Sequence, residues 1–132
     1  PLDNIELAGA HLRDLAFVAL VDGNPEAGFG ACRILGDHLW AAWSWGTPRI
    51  GKAVPAIIRH VRRVMIPEIY ALGFSQRVEA RALGTNTMAH RWLKSMGATE
   101  RCVLPNYGMG GEAFRLFDWT RDDYDVHLQP QD

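Results

Sequence analysis

From residue 16 the chain alternates apolar and polar positions in short runs, each closed by turn residues. Ala16 to Val21 reads as a strand ended by Asp22-Gly23-Asn24-Pro25, a strong turn signal. Ala27 to Leu35 pairs back, and its glycines call for a bulge or a close packing neighbour. Gly36-Asp37 turns the chain again and Leu39 to Trp45 forms a third strand, completing an antiparallel meander over 16–45. From Ala53 the period becomes helical, with Val54, Ile57, Val61, Met65, Ile69 and Leu72 in one apolar stripe. Pro55 suits the first helical turn, whereas Pro67 predicts a kink or break near Met65–Ile66, and Gly73 supplies the stop.

Arg77 to Leu83 is the next strand, with Val78, Ala80 and Ala82 on one face and Arg77, Glu79 and Arg81 on the other. Asn86 is placed to cap a helix that carries Ala89, Trp92, Leu93 and Met96 on its apolar side and ends at Gly97. Over 99–119 a hairpin follows, turning at Gly108-Met109-Gly110-Gly111. Ahead of the meander, the three- and four-residue spacing of Ile5, Leu7, Ala8, His11, Leu12 and Leu15 predicts a short amphipathic helix within 1–15. The polar stretch 120–132 is expected as a surface tail. The predicted fold is one α/β domain, a mixed and mostly antiparallel sheet of six or seven strands with helices on both faces.

Composition narrows the partners. The 132 residues are 48% hydrophobic and 22% charged, as in an ordinary globular domain, and the formal net charge is −1. That balance gives no electrostatic footprint for nucleic acid or an anionic membrane. No apolar run approaches the ~18 residues needed to cross a bilayer. Cys32 and Cys102 sit far apart with no zinc-like spacing, so a reducing, cytoplasmic setting without a bound metal is expected. Trp43 and Trp45 share one face of their strand; without a basic groove beside them they are expected to pack or to line a pocket rather than stack on bases.

Two strand–turn–helix joints carry candidate chemistry, because amides at a helix N-terminus favour an anion. The first is Trp45-Gly46-Thr47-Pro48-Arg49-Ile50-Gly51-Lys52-Ala53, and the second runs from Val78 through Leu83 to Asn86.

The order of elements, the run Val78-Glu79-Ala80-Arg81, then Asn86, Ala89, Trp92-Leu93-Lys94 and Gly97-Ala98, resemble the Gcn5-related N-acetyltransferase superfamily. The likeness is greatest to its branch acting on ribosomal-protein N-termini and similar amines, and it covers roughly residues 16 to 124. The resemblance implies an acyl-coenzyme A-dependent N-acetyltransferase that passes an acetyl group to an amine acceptor by direct attack. Within 46–98, the cofactor-binding core, it implies that acetyl-coenzyme A is held by Trp45, Gly46, Thr47, Arg49, Gly51, Lys52, Ala53 and Asn86. Gly46, Gly51 and Ala53 would allow close backbone approach, with Arg49 or Lys52 supplying charge.

The chain also departs from the family. Pro48 stands where the family's loop has Gln or Arg, Leu93 stands where many members carry a tyrosine acid, and Ala98 replaces a phenylalanine. Little chain precedes Phe17, so the family's first strand and first helix are expected short or missing. For proton transfer the candidates are Glu79, whose flanking Arg77 and Arg81 suit an ion-pair ladder better than a base, and Tyr107. A looser likeness, carried by Trp43 to Thr47 and Trp92-Leu93, is to acetyltransferase-fold proteins in the virions of short-tailed phages. It implies a non-catalytic component of an oligomer or virion, with tryptophans plugging the cleft.

Overall fold

Asp22 and Gly23 both take positive φ, 52° and 82°, the backbone twist a tight hairpin turn needs. The computed structural model describes residues 5–11 and 15–128. Among the described residues seven strands form one sheet: β1 (Ile5–His11), β2 (Leu15–Val21), β3 (Asn24–Leu35), β4 (Leu39–Gly46), β5 (Arg77–Leu83), β6 (Thr99–Leu104) and β7 (Phe114–Thr120). Their order across the sheet is β1-β2-β3-β4-β5-β7-β6. All neighbours are antiparallel except β4 and β5, which are parallel.

The first element corrects the expected N-terminal helix. Residues 5–11 pair with β2 from Ile5↔Val21 to His11↔Leu15. Ile5, Leu7 and Gly9 therefore line up by twos against Val21, Ala19 and Phe17, and this pairing overrides a spacing that also fits a helix. A Cβ on Gly9 would sit 2.2 Å from the Phe17 ring, so the glycine makes room for that ring. The meander has four strands rather than three.

A 3-10 turn (Ile50–Lys52) leads into helix α1 (Val54–His60). It continues through a π-helical turn (Val61–Met65) into α2 (Ile66–Ala71). Pro67 has no N–H to donate and its ring crowds the preceding turn, so the helix widens just upstream, with Ile66 N–H reaching back to the Val61 carbonyl. Helix α3 (Thr87–Ser95) is capped by Asn86, whose side chain accepts from Ala89 N–H at 3.1 Å. Gly97, at φ 96°, ends the segment.

One core joins the sheet to these helices. Phe17, Phe29, Val78, Phe117 and Trp119 meet Ile57, Met65, Ile66 and Ile69 there. The two fully buried indoles have their N–H groups satisfied, Trp40 by Ser75 Oγ at 3.1 Å and Trp119 by the Met96 carbonyl at 3.0 Å. Among the described residues the helices pack on this one face only, where cover on both was expected. The chain between β1 and β2 is residues 12–14, too short to carry a helix across the other face.

The tail also departs from expectation. Helix α4 (Arg121–Asp123) and a π-helical turn (Tyr124–Leu128) follow β7, and Tyr124 is buried in the core, stacked on Tyr70 with centroids 4.8 Å apart. The Arg121 guanidinium donates to the carbonyls of Tyr70, Leu72 and Ser75, closing the C-terminal end of α2. Residues 129–132 of the expected tail, with 1–4 and 12–14 of the expected helix, lie outside the described residues.

Candidate functional site

Strands β4 and β5 pair at only three positions, Leu39↔Arg77, Trp40↔Val78 and Ala41↔Glu79. Beyond them β4 continues to Gly46 and β5 to Leu83 without meeting. Parallel strands that part leave backbone groups on their facing edges unpaired, an edge on which an extended ligand can lie. The gap forms a cleft of about 390 Å³, within the size range of small-molecule sites. Ile57, Val61 and Met65 wall it on the helical face, with Ala89 and Trp92 from α3 and Met96 just after it. Trp43, Trp45 and Arg81 line it as well, and by strand alternation their side chains belong to the bare face of the sheet.

The two tryptophans do not fill this slot. Gly28 and Gly30 pair with Trp45 and Trp43, and a Cβ at those glycines would lie 2.2 Å and 2.8 Å from the respective indoles. Each indole therefore lies across a bare glycine of β3, the close neighbour those glycines call for. The plug expected of a non-catalytic domain is absent at these two side chains, and Trp92 forms part of the wall.

The turn after Trp45 is tied down at its base. Thr47 N–H donates to the Glu26 carbonyl at 3.0 Å, and the Thr47 hydroxyl donates to the Glu26 carboxylate. Glu26 is buried beneath the turn. No pattern near Glu26 could have revealed this, since its partner comes from the far end of β4. Arg49 lies 3.6 Å from Asp22 and 3.9 Å from Glu26, so its charge is directed toward these carboxylates. Lys52 is exposed.

Each small residue of the turn has a distinct place. Gly46 gives room to Ile50, whose Cδ1 would be 2.3 Å from an added Cβ. Ala53 is fully buried in the core. At Gly51 an added Cβ would meet no atom within 4 Å, so that part of the turn faces open space. The turn's own bonds occupy the amides of Ile50, Lys52 and Ala53. Asn86 uses its side-chain oxygen as the cap of α3.

Glu79 accepts from Arg77 at 2.8 Å and from Arg81 at 2.9 Å. The ladder extends farther than the β5 pattern shows, because Asp118 on β7, fully buried, accepts from Arg77 at 2.8 Å and from Arg101 by a two-pronged contact at 2.8 Å. Tyr107 is exposed in the turn after β6, its ring 5.9 Å from the Arg81 guanidinium and 5.3 Å from Phe114. His90 is buried, with Nε2 at 2.9 Å from the Leu83 carbonyl; a carbonyl only accepts, so that nitrogen carries the proton and joins α3 to the end of β5. Burial raises the Tyr70 phenol far above its ordinary value, and its hydroxyl donates to the Trp119 carbonyl.

No family model matches the chain, and no curated protein matches it significantly. Solved structures do match. Ribosomal-protein-S5-alanine acetyltransferase from Vibrio fischeri superposes with a TM-score of 0.69 at 17% identity, covering 89% of this chain and 65% of that one. A chimera of spermidine N-acetyltransferase SpeG from Vibrio cholerae and hSSAT gives 0.66 at 14% identity, over 86% and 70% of the two chains. The fold is that of the Gcn5-related N-acetyltransferases. Ard1 from Thermoplasma volcanium shares this acetyltransferase fold, with a TM-score of 0.64 at 14% identity over 80% of this chain and 69% of its own. The chain spans less than two thirds of the length of the Vibrio fischeri enzyme. Three residues, 12–14, separate β1 from β2 in this chain.

Proposed function

We propose that the slot between β4 and β5 binds acyl-coenzyme A, with acetyl-coenzyme A as donor, and that the chain is an N-acetyltransferase acting on an amine. The observation that carries this reading is the parting of β4 from β5 after Ala41↔Glu79, beside an apolar cleft of about 390 Å³. The residues present fit the group. The free edge of β4 from Ala42 to Gly46 offers amide and carbonyl groups to an extended arm, and Ile57, Val61, Met65 and Trp92 give it an apolar bed. The turn from Trp45 to Ala53 would take the diphosphate end. Gly51 opens onto space there, Gly46 and Thr47 hold the turn's shape, and Arg49 or Lys52 would supply the nearby positive charge. Asn86 sets the start of α3, which also walls the slot.

When bound, the donor would supply an activated acetyl group: the amine nitrogen would bond to the carbonyl carbon as the carbon–sulfur bond breaks, the nitrogen's proton leaving to solvent at the mouth of the slot and the departing thiolate taking a proton from Tyr107 or solvent. The chain's part is to hold the reactants together in a cleft lined mostly by apolar side chains. Glu79 has both carboxylate oxygens engaged by arginines, which suits it to holding Arg81 in place. Tyr107, exposed beside Arg81, is the candidate proton donor. A non-catalytic role in an oligomer or a virion gains no support from the slot, which its tryptophans leave open.

Calorimetric titration with acetyl-coenzyme A tests the reading. Binding is expected in the wild type, and no binding at ~1 mM ligand, an affinity worth about 4 kcal/mol, removes it. Gly51→Phe grows from a Cβ position that meets no atom within 4 Å. It should keep the wild-type melting temperature and weaken acetyl-coenzyme A binding at least about tenfold, roughly 1.4 kcal/mol. Equal affinity in the variant would mean that another segment holds the diphosphate.

A further inference from the structure

Among the described residues Arg81 is the one ionisable residue in the lining of the slot, which includes no carboxylate residue. Its charge is not balanced where it stands. Across β6, β7 and β5 the ion pairs run Arg101, Asp118, Arg77, Glu79, Arg81, so three guanidiniums share two carboxylates. Asp118 is engaged by Arg101 and Arg77, and Glu79 by Arg77 and Arg81. The surplus positive charge therefore falls at the two ends, Arg101 on the outer strand and Arg81 at the slot. One nitrogen of Arg81 meets Glu79, at 2.9 Å, and the Tyr107 ring lies 5.9 Å from the guanidinium. A guanidinium held on one side and open on the other can still take a carboxylate by its remaining N–H groups.

The face on which Arg81 lies is the one without helices. Trp43 and Trp45 flank the slot there, both exposed. The turn proposed for the diphosphate adjoins the helical face through α1, so the bare face is left for the acceptor.

We infer that the acceptor is a small amine that carries a carboxylate, an amino acid or close analogue, and that Arg81 selects it by binding that carboxylate at the bare-face mouth of the slot. This rests on the acyltransferase reading. A polyamine fits poorly, because the lining has a cation and no anion to meet its charges. Arg81 is a specificity residue in this scheme, and Glu79 positions it.

The test compares acids with their own amides, which leaves the protein unchanged. Acetyl-coenzyme A is supplied with glycine, L-methionine, L-phenylalanine and L-glutamate, with their α-carboxamides, and with spermidine, and the thiol released is measured. At least one acid should be acetylated with a kcat/KM roughly ten to a hundred times that of its amide, the factor expected when a charge-assisted contact is lost. Arg81→Gln should raise KM for that acid by a similar factor and bring acid and amide to equal kcat/KM, while Arg81→Lys should restore part of the preference. A change confined to folding would lower both substrates alike. Equal use of acid and amide, preference for spermidine, acetylation of none of these amines, or a preference that survives in Arg81→Gln overturns the inference. If acetyl-coenzyme A itself fails to bind the wild type, the acyltransferase reading falls first and this inference falls with it; donor binding without acid selectivity overturns the inference alone.

Discussion

A Cβ on Gly30 would lie 2.2 Å from the Leu15 carbonyl oxygen, and backbone at that distance cannot swing aside as a side chain can. Gly30→Ala should therefore lower stability by about 1–3 kcal/mol in urea denaturation, the usual penalty of overpacking. At Gly28 the three atoms nearest an added Cβ all belong to the Trp45 indole, a half-exposed side chain better able to shift than backbone, so Gly28→Ala should cost less. Tyr70 gives a pH test. Burial raises its phenol above the value in the unfolded chain, with Arg121 opposing this in part. The folded state thus keeps a proton that the unfolded state releases above about pH 10. The stabilisation is complete below that pH and is lost progressively above it, as pH climbs toward the raised value of the folded phenol. Tyr70→Phe should flatten that alkaline fall, measured by thermal melting between pH 8 and about 11. The Arg77–Glu79–Arg81 part of the ion-pair ladder was legible as one face of a strand. Asp118 and Arg101 were not, because they join it from strands whose neighbours are decided only by the whole sheet.

At the scale of elements, the strands after residue 15 and the capped helix were readable because their periods and turn residues agree. Asn86 exemplifies this: its side chain caps α3 through Ala89 N–H, and Asn86→Ala should cost about 1 kcal/mol of stability, read from the urea midpoint. The N-terminal segment misled because Ile5 and Leu7 fit two periods at once, and the pairing with β2 chose between them. Pro67 announced an irregular helix, but a proline does not specify whether the chain will bend, break or widen. Here it widens, and the π-helical turn that results presents Val61 and Met65 to the slot. In the tail, polar composition concealed Tyr124, a single aromatic that anchors the segment against Tyr70.

For the molecule as a whole, what matters is where two strands stop pairing. The turn from Trp45 to Ala53 could be picked out from its glycines and its position between strand and helix. The slot could not, since the length of the β4–β5 pairing depends on the helices and strands on either side. Glu26, which anchors that turn from another strand, was equally hidden. The result is an acetyltransferase fold with an open slot, helices on one face and an arginine-bearing mouth on the other. Amide hydrogen exchange with and without acetyl-coenzyme A tests the central claim most directly. Slower exchange on binding is expected in the segments covering Ala42 to Gly46 and Gly51 to Ile57, because the free edge of β4 and the following turn would acquire a partner. Binding that protects other segments and leaves these two unchanged would contradict the account.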